Sequence, residues 1–157
     1  MNFLEQLVAE WYEYDRYFVR SNVRTRKRKK GGYDVELDVL AYDRSKNTLI
    51  HIETSGDANS WEERKRQFLN KKFILTTREY EDILGHKVSK IKRIAVVGYV
   101  HSTKADLNWG QDIEIELIPV FIKKNTKKLS SQHPMKEAVP EGFPILRAMQ
   151  MAIAYGT

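Results

Sequence analysis

The segment that most limits the fold is Tyr33 to Tyr42, in which Val35, Leu37, Val39 and Ala41 alternate with Asp34, Glu36, Asp38 and Leu40. A period of two places successive side chains on opposite faces, which is the pattern of a half-buried strand and not of a helix. The turn-forming run Asp43-Arg44-Ser45-Lys46-Asn47 ends this segment, and the apolar stretch Thr48 to Thr54 follows as another strand. Upstream, Tyr17 to Arg26 carries the β-formers Tyr17, Phe18, Val19, Val23 and Thr25 and leads through a basic run into Gly31-Gly32. Connections this short make the three strands an antiparallel meander.

Helices are expected on either side of the meander. Leu4, Leu7, Val8, Trp11 and Phe18 recur at helical spacing, predicting an amphipathic helix over roughly the first sixteen residues. Ser60 followed by Glu63 is a capping-box pattern that opens a second helix running to about Lys72. Lys92 to Val100, with Ile94-Ala95-Val96-Val97 at its centre, reads as a buried strand, and a helix before it permits a parallel crossover. Ile113 to Ile122 is expected to be a strand, Asn125 to Phe143 a loop, and Pro144 to Tyr155 a closing helix. The order α-β-β-β-α-β, then a further strand and helix, is that of an α/β protein with a mixed sheet. A single domain is expected over residues 1–157.

Composition narrows the chemistry. The 157 residues include no Cys, which removes disulfides, thiolate metal sites and cysteine nucleophiles. No apolar run is long enough to span a bilayer, and the N-terminus lacks the pattern of a signal peptide, so a cytoplasmic protein is expected. The 27 Lys and Arg against 21 Asp and Glu leave a formal charge of +6, favouring polyanionic partners. Six of the seven residues from Arg24 to Lys30 are basic: Arg24, Arg26, Lys27, Arg28, Lys29 and Lys30. A basic turn of this kind grips phosphates without reading sequence; a solvated loop and a localisation-like tract are the alternatives.

Asp38 and Glu53 carry the main chemical signal. With the four residues Arg44 to Asn47 as the loop, they fall directly opposite each other on neighbouring strands and share a face. Like charges so placed are destabilising unless a cation lies between them or one is protonated. An oxygen-only pair suits Mg²⁺, which often takes only one or two protein carboxylates. The other reading makes Asp34, Glu36 and Asp38 the solvated face of a strand. Against it, Leu49, Ile50 and Ile52 suggest that the strand bearing Glu53 is buried on both faces, and a buried carboxylate needs a partner.

The element order, with Gly-Gly-Tyr-Asp-Val-Glu-Leu-Asp38-Val-Leu-Ala-Tyr and Leu-Ile-His-Ile-Glu53-Thr-Ser55, resembles the PD-(D/E)xK nuclease superfamily, near its restriction-endonuclease-like and Holliday-junction-resolvase-like branches. The resemblance spans about residues 4–100. It implies a restriction-endonuclease-like mixed sheet and a Mg²⁺-dependent DNA endonuclease, in restriction, defence or repair, with Mn²⁺ as a substitute ion. Asp38 and Glu53 match the two metal-binding acids. Ser55 stands where the family has a lysine that orients or deprotonates the attacking water, and a serine cannot serve alone as the base. Family members exist in which that lysine has moved to the following helix. There Trp61, Lys65, Phe68 and Lys72 share a face, making Lys65 the first candidate substitute and Arg64 the second; the alternative for Lys65 is a side chain running along the helix edge to solvent. The family's additional glutamate from the first helix corresponds to Glu5, with Glu10 as runner-up. DNA is the implied partner, RNA the alternative, and members that cut both strands commonly form homodimers.

Other constellations are weaker. His51, His86, His101 and His133 lack the spacing of a zinc site, although His51 shares the parity of Glu53 and reads as either a site-lining or a core residue. Trp61 and Trp109 fit core packing better than base stacking. Two alternatives to an active nuclease stand: a nuclease-fold module that only binds DNA or serves a larger complex, and an RNA-binding or protein-interaction domain using the basic hairpin alone.

Overall fold

The computed structural model describes residues 1–98, 106–110 and 112–156. Among them the chain forms five strands and five helices: α1 (Phe3–Tyr14), β1 (Phe18–Lys27), β2 (Tyr33–Asp43), β3 (Thr48–Ser55), α2 (Trp61–Gln67), α3 (Thr77–Leu84), β4 (Lys90–Val97), β5 (Ile113–Leu117), α4 (Ile118–Ser130) and α5 (Pro144–Tyr155). A π-helical turn, Phe68–Lys72, continues α2. The strands form one mixed sheet in chain order. β1, β2 and β3 are antiparallel neighbours, and β4 and β5 run parallel to β3.

Every residue of β3 is buried, because both faces of this central strand are covered. On one face Val39, Ala41, Ile50, Ile52, Ile94 and Val96 pack against α1, α4 and α5 through Leu7, Val8, Trp11, Phe121, Leu129 and Leu146. The opposite face meets the crossover: Leu40 and Leu49 contact Leu75 and Tyr80, while Ala95 and Val97 contact Phe68, Phe73 and Trp109. No helix among the described residues is long and apolar enough to cross a membrane.

Several elements differ from expectation. Phe18 belongs to β1 and is 65% exposed, outside the apolar face of α1. The strand expected to reach Ile122 stops at Leu117, since Pro119 lies in the first turn of α4, has no N–H for a ladder and has a backbone already set for a helix. Asn125 to Ser130 continues that helix, with Phe121, Asn125 and Leu129 buried at four-residue intervals. α3 has no counterpart among the expected elements, although Thr76 and Glu79 form a complete capping box and Gly85 ends the helix at φ +81°. Ser60 caps α2 through the Glu63 N–H, but the Glu63 side chain turns to Arg66 and Gln67 and leaves the box half-made. The residues expected to end β4, Tyr99 and Val100, lie outside the described residues.

Candidate active site

The β2–β3 ladder runs from Asp43–Thr48 to Val39–Ile52, the register that a four-residue turn imposes. The next positions are Asp38 and Glu53, where side chains replace the rungs. The Asp38 N–H donates to Glu53 Oε1 at 3.2 Å, and the Thr54 N–H and hydroxyl donate to Asp38 Oδ2 at 2.8 and 3.1 Å. Each carboxylate therefore satisfies backbone of the opposite strand at the end of the ladder. Asp38 is 8% exposed and Glu53 is fully buried.

Two adjoining buried carboxylates need a cation, and Lys72 provides it. Its Nζ lies 2.5 Å from Glu53 Oε2 and 3.3 Å from Asp38 Oδ2. The widened turn after α2 delivers this side chain: the Phe73 N–H donates to the Phe68 carbonyl at 2.9 Å, five residues back. π-turns of this kind recur at functional sites. Phe68 and Phe73 bury themselves on either side of the turn, and the ammonium sits 5.7 Å from the Phe68 ring centroid.

The shared site separates the behaviour of the two acids. Burial first, and the Glu53 charge second, push the Asp38 carboxyl up to about 6 despite Lys72. Burial also opposes Glu53 ionisation, but the His51 hydrogen bond and the Lys72 charge outweigh it and hold Glu53 below the usual carboxylate range. Lys72 is raised above an ordinary lysine because the attraction of Glu53 and Asp38 exceeds its desolvation.

His51, whose role the sequence left open, is fully buried and binds Glu53 Oε1 through Nε2 at 2.7 Å. Its Nδ1 lies 2.7 Å from the Tyr80 hydroxyl. Tyr80 comes from α3, whose Thr76–Glu79 capping box and Tyr80, Ile83 and Leu84 at helical spacing are legible in the sequence, but nothing local links that helix to the site.

The lysine that meets Asp38 and Glu53 is Lys72, from the turn after α2. Lys65 instead pairs with Asp106 at 3.0 Å. Both lie on the stripe that begins at Trp61, and the stripe alone does not rank them; the π-turn and the aromatic anchors do. Arg64 is buried against the loop after β3, donating to the Asp57 carbonyl at 2.6 Å. Ser55 donates to Asp57 Oδ2 at 2.6 Å and makes no bond to Asp38 or Glu53 among the described residues. Glu5 adds the smallest of the upward pushes on Asp38, while its carboxylate is held by Asn2 in the capping box of α1. Glu10 is buried and caps α5, accepting the N–H groups of Ile145 and Leu146 at 2.9 and 3.0 Å.

The basic hairpin is partly neutralised. Arg24 pairs with Glu36, Arg28 with Asp34, and Arg26 makes two hydrogen bonds to Glu79 of α3, drawing that carboxyl down to about 2. Lys27, Lys29 and Lys30 form no ion pair among the described residues. Trp61, half-buried, packs against the buried Trp109 with ring centroids 5.2 Å apart. His101 lies outside the described residues.

No group of three or more His, Cys, Asp or Glu side chains gathers to hold a metal among the described residues, so any ion here would rest on a carboxylate pair. The pair suits such an ion: its donors are oxygen only, Lys72 already occupies the shared space as a cation, and Asp38 Oδ1 accepts no hydrogen bond among the described residues.

No family model matches the chain, and no curated protein matches it. Among solved structures it is similar to one titled "Crystal Structure of Protein of Unknown Function AF1548", at 13% identity, covering 99% of this chain and 98% of that one with a TM-score of 0.50. A likeness at that identity concerns the fold alone.

Proposed function

We propose that this chain is a Mg²⁺-dependent DNA endonuclease of the PD-(D/E)xK, restriction-endonuclease-like kind, with Mn²⁺ as a substitute ion. The observation that carries the reading is the Lys72 ammonium within 2.5 Å of Glu53 and 3.3 Å of Asp38, at the end of the pairing between the meander strands β2 and β3. It supplies the cation missing at Ser55 from another element. In this reading Asp38 and Glu53 hold the divalent ion, which when bound acidifies a water and offsets charge on phosphate oxygens. His51 and the Asp38 N–H orient Glu53, and the Thr54 N–H and hydroxyl orient Asp38. Lys72, held protonated by its two partners, donates hydrogen bonds to a water or to phosphate oxygens and does not act as the resting base. Lys27, Lys29 and Lys30 contact the DNA backbone.

Cleavage of supercoiled plasmid and branched DNA at low salt, with Mg²⁺, Mn²⁺ or EDTA, tests this reading. Metal-dependent nicking is expected, with loss in Asp38→Ala, Glu53→Ala and Lys72→Ala and retention in Lys65→Ala. Salt-sensitive DNA binding without nicking by the wild type would favour the binding module instead.

A further inference from the structure

Glu53 divides its contacts unevenly between its two oxygens. Oε1 receives His51 Nε2 at 2.7 Å and the Asp38 N–H at 3.2 Å, whereas Oε2 meets only Lys72 Nζ among the described residues. His51 is held in turn. The Tyr80 hydroxyl lies 2.7 Å from Nδ1, and the ring packs edge-on to Phe73 at 5.0 Å. His51 and Tyr80 are both fully buried. In the neutral ring, a hydroxyl donating to Nδ1 leaves the proton on Nε2, so Tyr80 favours the tautomer that donates to Glu53. The Arg93 guanidinium covers the Tyr80 ring at 5.8 Å and donates to the Leu75 carbonyl, bracing the far end of this chain of contacts.

We propose that His51, held by Tyr80, is a positioning residue that restricts Glu53 to one coordinating oxygen and so gives the carboxylate pair its preference for Mg²⁺ and Mn²⁺ over Ca²⁺. This rests on the metal-dependent reading above. Mg²⁺ demands near-octahedral geometry, whereas Ca²⁺ accepts bidentate carboxylates and more ligands. An oxygen already receiving two hydrogen bonds is a poor partner for chelation, so Glu53 offers Oε2 alone. Removing the His51 donor frees Oε1 to join Oε2 around the larger ion.

Direct binding tests the proposal: the full chain is titrated with Mn²⁺, free Mn²⁺ is followed by paramagnetic resonance, and Ca²⁺ is added as competitor. The variants are His51→Leu, which deletes the donor; His51→Gln, which keeps an N–H near the Nε2 position; and Tyr80→Phe, which removes the tautomer-selecting hydroxyl at nearly constant volume. The Mn²⁺ over Ca²⁺ preference is expected to fall about tenfold in His51→Leu, as for other groups that orient metal ligands. It should fall less in Tyr80→Phe and recover in His51→Gln. An unchanged preference in folded His51→Leu, with Mn²⁺ bound by the wild type, overturns the proposal and leaves the metal site standing. Failure of the wild type to bind Mn²⁺ overturns both. Should His51→Leu not fold, an unchanged preference in Tyr80→Phe overturns the proposal in its place.

Discussion

Glu53 accepts the backbone N–H of Asp38, its neighbour across the β2–β3 hairpin, at 3.2 Å, so the side chain of one candidate ligand fixes the main chain of the other. Thr54 returns the bond by donating its N–H to Asp38 at 2.8 Å. The carboxylates are consequently placed by backbone as well as by rotamer, and moving either disturbs both strands.

Asp38→Asn should stabilise the metal-free protein at neutral pH. Because the native pKa of Asp38 is raised to about 6, the native state holds its proton more tightly than the unfolded chain. Stability from this group is therefore full below about pH 4 and is lost as pH rises to about 6. Asparagine avoids that loss and can still accept from Thr54. Thermal unfolding should show equal stability near pH 4 and a gain on the order of 2 kcal/mol for the variant above pH 6.

Divalent-ion affinity should depend on the same proton. Below about pH 6 Asp38 must release its proton before an ion binds, so Mn²⁺ affinity is expected to fall about tenfold per pH unit there and to level off above. Mn²⁺ titration across pH 4.5 to 8, as an approximate working range, checks this; a flat profile would remove Asp38 from the ligand set.

Lys72→Met should separate binding from turnover. The ammonium competes with a metal for Glu53 Oε2 and Asp38 Oδ2, so its removal is expected to raise Mn²⁺ affinity while lowering cleavage by about two to four orders of magnitude. Lys65→Ala breaks only a partly exposed pair with Asp106 and should change stability by less than about 1 kcal/mol. Mn²⁺ titrations and single-turnover cleavage on both variants read these effects.

Glu10→Ala should behave as a folding variant. It strips two N–H groups of α5 of their acceptor, at a cost of about 2 kcal/mol in chemical denaturation. Metal affinity of the folded fraction should be unchanged, in contrast to Glu53→Ala.

Replacing Lys27, Lys29 and Lys30 with Ala should lower the slope of log affinity for DNA against log salt by about 0.9 for each phosphate that is no longer neutralised. Arg26→Ala should alter the slope less, because its guanidinium is committed to Glu79 and the Ile74 carbonyl. Filter binding at several salt concentrations distinguishes the two sets.

Sequence by itself determined the meander, the register and the opposition of Asp38 and Glu53. The four-residue turn fixes the pairing from Asp43–Thr48 to Val39–Ile52, a local constraint, whereas the alternation does not keep to one face: Val39 and Ala41 pack on the α1 side, and Val35 and Leu37 pack with Leu40 and Tyr80. Where patterning misled, a competing local rule was at work: Pro119 turned an apolar β-like run into α4. Tertiary structure decided which cation neutralises the pair. Lys65 and Lys72 lie on one stripe of an ideal helix, and the π-turn packed between Phe68 and Phe73 brings Lys72 to the carboxylates. Tertiary structure likewise decided the role of His51, since its partner Tyr80 lies 29 residues away and reaches it only when α3 packs on the sheet. Strand register follows from a short turn, but the cation and the orienting hydroxyl depend on how separate elements pack.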